Sequence, residues 1–132
     1  MPYRIRRKLK DYFKPQTVGK YLNQNFQLTD KEIKKLISQL EIKSNYLVKD
    51  LGTAHSKILS IICEFQNNTI VVFDYYGLSP KTEEQLTLFI KNELKKGKSA
   101  ISFDNLYYKP ENPDSEMIKN VEVLRIKTGK EN

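Results

Sequence analysis

Few residues in this chain have the type and spacing that chemistry at a site requires. His55, the sole histidine, stands beside Ser56 after Gly52. A nucleophile needs a positioned base and an orienting third group. No third group can be placed here, so His55 reads as a solvated turn residue. Cys63, the sole cysteine, lies in the apolar run 58–65. Such a thiol is a small core residue, raised in pKa and inert. One cysteine also excludes a disulfide framework and any cysteine-rich zinc site. Asp74 and Asp104 fall near the ends of two apolar runs and could form a metal-binding carboxylate pair of the nuclease type. That reading needs a third carboxylate at matched depth, such as Glu64 or Glu122. Gly97-Lys98-Ser99 has the ending of a phosphate loop, but the loop's first glycine would fall at Asn92. The triplet also follows a helical pattern rather than a strand, which makes Gly97 a helix stop. The expectation is a protein that is not an enzyme and carries neither cofactor nor metal.

Charge is more informative. The 132 residues carry 23 Lys and Arg against 16 Asp and Glu, for a net charge of +7. Residues 1–20 hold seven of the bases (Arg4, Arg6, Arg7, Lys8, Lys10, Lys14 and Lys20) and one acid, Asp11, which places +6 of the excess there. A clustered positive field recruits phosphates and releases their counterions. Lys, Asn, Ile and Tyr are all abundant, as codon bias in an AT-rich genome produces. Such bias favours Lys over Arg, yet three of the four arginines stand at positions 4, 6 and 7. Within the cluster Ile5, Leu9 and Tyr12/Phe13 recur at helical spacing, predicting a short amphipathic segment over 1–14. No run reaches the 18 or so apolar residues of a membrane span. No apolar stretch follows the N-terminal charges as in a secretory signal. The expected setting is cytoplasmic.

Elements must position these residues. Pro15 ends the first segment, and a helix is expected over about 17–25. Thr29-Asp30-Lys31-Glu32 fits a capping box. Behind it Ile33, Leu36, Ile37 and Leu40 make the stripe of a helix over about 30–43. Tyr46-Leu47-Val48 suggests a short strand and 52–55 a turn. The β-branched run Ile58 to Phe65, the polar 66–68 and the run Ile70 to Tyr76 predict a β-hairpin central in a sheet, apolar on both faces. Ser79-Pro80 with Glu83 and Glu84 starts another helix, stopped at Gly97. Strands are expected over 100–108 and 121–127, with a polar loop at 110–115. These add up to one α+β domain over 1–132. A helical pair over 15–44 packs on a small, mostly antiparallel sheet with one crossing helix over 45–128.

Two resemblances follow. The pair at 17–43 resembles a helix-turn-helix: the apolar places of that motif fall on Leu22, Phe26, Leu28, Ile33 and Leu36. Asn23 stands where a small residue is usual and Gln27 where the turn usually has Gly. The resemblance spans about twenty residues, and a generic helical hairpin packed on a core has the same spacing. It implies that Lys31, Lys34, Lys35 and Gln39 face nucleic acid. The later order of elements is similar to an OB-fold, whose aromatics stack bases. Phe65, Phe73, Tyr75, Tyr76, Phe103, Tyr107 and Tyr108 would then supply the platform, Tyr76 and Tyr108 being the exposed pair, beside Lys98 and Lys109. Alternatively, the predicted hairpin is the wing of a winged helix.

The function expected is therefore non-enzymatic nucleic-acid binding, DNA ahead of RNA. Arg4, Arg6, Arg7, Lys8, Lys10, Lys31, Lys34 and Lys35 would contact phosphates, and Tyr76 and Tyr108 bases. The competing expectation is a small adaptor or inhibitor that binds an acidic protein surface.

Overall fold

The computed structural model describes residues 4–5 and 15–103. Helix α1 (Val18–Phe26) starts at Thr17, whose hydroxyl accepts from the Lys20 amide. Helix α2 (Asp30–Ile37) starts at Thr29 with both halves of its capping box formed. It ends sooner than the stripe predicts, yet Leu40 and Ile42 beyond it are still buried. The segment after α2 returns along the start of α1. The Val18 amide donates to the Tyr46 carbonyl at 2.8 Å, the Gly19 amide to Ser44 at 2.9 Å and the Val48 amide to Gln16 at 2.9 Å. Where a short strand was expected, there is a single antiparallel bridge, Thr17 to Leu47, and a 3-10 turn at Val48–Asp50.

The sheet is where sequence and structure part. Residues Thr53–Asn67 form one helix, α3, with Gly52 as N-cap. The run Ile58 to Phe65 is therefore helical, not a strand. Its period was obscured because Ile58, Leu59, Ile61, Ile62, Cys63 and Phe65 are all buried, and the wide apolar face of β-branched residues outweighed the narrow polar stripe of Ser56, Lys57, Ser60 and Glu64. With the hairpin go the OB-like and the winged-helix-like orders. Strand β1 (Ile70–Asp74), helix α4 (Pro80–Lys95) and strand β2 (Ser99–Phe103) make a β-α-β unit. The strands pair parallel, Ile70 with Ser99 through Asp74 with Phe103. The sheet seen is thus two-stranded and parallel rather than mostly antiparallel, and α4 supplies the crossover that a parallel pair needs.

Val71 and Phe73 face a core shared with Phe65 of α3 and with Leu86 and Phe89 of α4. The Phe65 and Phe89 rings meet edge to face at 5.7 Å. The other sheet face, expected to be covered at least in part, is open: Ile70 is 63% exposed, Val72 50%, Ile101 51% and Phe103 61%. The strand, loop and tail expected over 104–132, and all of the segment 1–14 but Arg4 and Ile5, lie outside the described residues.

Candidate nucleic-acid interface

The candidate interface is built on α2. The Glu32 amide donates to Thr29 Oγ1 at 3.3 Å, and the Thr29 amide donates to Glu32 Oε2 at 2.8 Å. The Thr29 amide first, and then the Thr29 hydroxyl, which donates to Glu32 Oε2 at 2.9 Å, hold the Glu32 carboxyl below its ordinary pKa. Glu32 is thereby committed to the helix start. Ile33 and Ile37 turn inward and Leu36 lies half-buried on the core. Lys31, Lys34 and Lys35 occupy the opposite face and are exposed. At i, i+3 and i+4 they are neighbours on the helix surface, and Lys34 and Lys35 stand in its last turn, at the negative dipole end. Among the described residues no hydrogen bond or ion pair engages these three ammonium groups.

The turn before α2 begins at the C-cap of α1. Gln27 takes a left-handed conformation, φ 56° and ψ 31°, and its amide donates to the Asn23 carbonyl at 2.9 Å. Asn23, the other departure, donates through Nδ2 to the Leu28 carbonyl at 2.8 Å, closing the turn from outside. Leu22 and Ile33 are buried, and Phe26, Leu28 and Leu36 are packed partly against the core. Gln39, implied to face nucleic acid, is exposed just past α2.

Of the remaining predicted contacts, Arg4 is exposed, beside an Ile5 that packs on the core. Arg6, Arg7, Lys8, Lys10 and Tyr108 lie outside the described residues. Tyr76 is 89% exposed, as expected, but lies in the loop after β1 rather than at the end of the strand expected over 70–76. Its amide donates to Asp74 Oδ1 at 2.8 Å, and its carbonyl accepts from Lys57 Nζ at 2.7 Å. Phe65 and Phe73 are buried and Tyr75 half-buried, its hydroxyl 2.9 Å from Thr87 Oγ1. These three belong to the core and are no stacking platform.

The chemical candidates find structural employment. Asp74 pairs with Lys57, whose hydrogen bond holds its carboxyl below the usual range. Glu64 accepts from Asn68 Nδ2 at 2.9 Å, while Asp104 and Glu122 lie outside the described residues. Among the described residues no group of three His, Cys, Asp or Glu could hold a metal ion. His55 is a half-buried residue in the first turn of α3, its ring 5.5 Å from that of Tyr46, not a solvated turn residue. Burial pushes the Cys63 thiol up to about 12. Gly97 is left-handed (φ 88°) and stops α4. Lys98 reaches Glu93 Oε2 at 2.6 Å and the Phe65 carbonyl. Glu93 itself went unnoticed in the sequence, because an acid among Lys91, Lys95, Lys96 and Lys98 looks like surface. Its place one turn from Phe89 and Ile90 was the available signal.

Comparison with protein-family models, with curated proteins and with solved structures finds no match for this chain. Among the described residues no helix is long and apolar enough to cross a membrane.

Proposed function

We propose that the chain binds nucleic acid without doing chemistry on it, with α2 laid against duplex DNA and the N-terminal bases adding phosphate contacts. The observation that carries this reading is the α2 face. Three exposed lysines share it, none of them pairs with another described residue, and a left-handed turn sets the helix off from α1. Contacts of this kind position a protein on the duplex without reading sequence. Duplex is favoured over single strands because Phe65 and Phe73, two of the seven aromatics of the expected stacking platform, are buried. The decisive measurement is affinity for a mixed-sequence DNA duplex between about 50 and 200 mM salt, a range over which phosphate binders lose orders of magnitude. The triple variant Lys31→Ala, Lys34→Ala, Lys35→Ala should weaken binding and flatten the salt slope by about 0.9 for each lysine on a phosphate. Absence of binding at the lower salt overturns the reading and leaves an acidic protein surface as the partner to seek.

A further inference from the structure

The residue at the turn between α1 and α2 is in a conformation that favours glycine, and it is not glycine. Gln27 is the only non-glycine residue with positive φ among those described. For an L-residue that conformation brings Cβ toward the following carbonyl oxygen and costs free energy that glycine avoids. The fold obtains nothing from the side chain in return. Gln27 is exposed, and its side-chain amide makes no hydrogen bond to another described residue. Its neighbours differ in this respect. Asn23 Nδ2 donates to the Leu28 carbonyl, Asn25 Nδ2 to the Tyr21 carbonyl, and Gln16 Nε2 to Gln24 Oε1. Of the side-chain amides on α1 and beside its two ends, only that of Gln27 has no partner among the described residues. Residues held in sparsely populated backbone regions cluster where a molecule binds its ligands. This one stands four positions before Lys31, at the entrance to the basic helix.

We propose that Gln27 is a contact residue for nucleic acid, its side-chain amide donating to a phosphate oxygen beside the groove that α2 enters. The assignment rests on the nucleic-acid reading of α2. It also has a signature separate from that of the lysines. The amide is neutral, so it displaces no counterion, and its loss lowers affinity without changing the salt slope.

The test uses the full chain with Gln27→Gly and Gln27→Ala, binding a mixed-sequence DNA duplex over a salt series, alongside thermal unfolding. Gln27→Gly relieves the backbone and raises the melting temperature by a few degrees. It should still bind about three- to tenfold more weakly, as for loss of one neutral hydrogen bond, with the slope unchanged. Gln27→Ala keeps the backbone cost and should lose the same affinity with no gain in melting temperature. A Gln27→Gly protein that is more stable and binds as tightly as the native chain overturns the assignment, while the nucleic-acid reading stands on the lysine variants. A change of salt slope in either variant also overturns it. If the native chain fails to bind duplex at low salt, both readings fall.

Discussion

Glu93 shows how far one carboxylate can determine the state of this molecule. It is 1% exposed, on α4, between Lys96 Nζ at 2.7 Å and Lys98 Nζ at 2.6 Å. Burial pushes its pKa up, but the two ammonium groups pull harder and the net direction is down. Lys98 also donates to the Phe65 carbonyl and lies 6.0 Å from the centre of the Phe65 ring. The cluster thus ties α4, the start of β2 and the end of α3. Removing one partner of a buried pair leaves a desolvated charge behind, so Glu93→Gln should cost about 2–4 kcal/mol near neutral pH. The pH dependence has a definite sign. A folded-state pKa below the unfolded value of about 4.3 means that the stabilisation is present above that pH. It is lost as pH falls through the folded value. Urea midpoints taken from neutral pH to pH 3 should therefore drop for the native chain and change less for Glu93→Gln. Equal slopes for the two proteins would remove Glu93 from the account.

At the scale of elements, the return of residues 44–48 along α1 depends on a close approach at Gly19. A Cβ there would sit 3.1 Å from Ser44 Cβ and 3.3 Å from the Ser44 carbonyl oxygen. Propensity alone favours alanine over glycine in a helix by about 1 kcal/mol, whereas crowding a packed contact costs about 1–3 kcal/mol. Gly19→Ala should accordingly lower the denaturant midpoint, and Gly19→Ala combined with Ser44→Gly should recover part of it. A stabilised Gly19→Ala would show that the segment yields. The same elements show what the sequence disclosed. Helices with a polar side were legible, since Thr29 and Glu32 mark the start of α2, Ser79 and Pro80 that of α4, and their stripes do the rest. Helix α3 was not, because its isoleucines suit a strand as well and outweighed the narrow polar stripe of Ser56, Lys57, Ser60 and Glu64. The i, i+4, i+8 spacing of Ser56, Ser60 and Glu64 was the signal that could have arbitrated. The misreading then propagated, since a helix taken for a strand turns a β-α-β unit into a hairpin. Of the candidate site, the lysine positions were legible from spacing alone. The left-handed state of Gln27 was not, because only the motif's usual glycine hinted at it.

For the whole molecule the question is which surfaces are committed to the fold and which are free. The open face of the β1–β2 pair is free among the described residues: Val72 and Ile101 pair across it and both are about half exposed. Replacing them by threonine keeps the β-branch, and changes to exposed side chains usually stay within about 0.5 kcal/mol. Val72→Thr and Ile101→Thr should therefore leave the melting temperature nearly unchanged, and a loss of several degrees would mean that this face is covered in solution. Charge is the second freedom, and it separates the two halves of the proposed interface. Changing Arg4, Arg6 and Arg7 to Gln lowers the net charge from +7 to +4 and leaves Ile5 in place on the core. The melting temperature should hold, because Arg4 is exposed and Ile5, which packs on the core, is unchanged. If the three guanidinium groups lie on phosphates, the salt slope should fall by about 0.9 for each. The fall should add to that of the α2 lysines, since independent phosphate contacts release independent counterions. A salt slope that stays at its native value in the arginine variant, with affinity intact, would show that the N-terminal charge serves solubility and that α2 alone makes the contact.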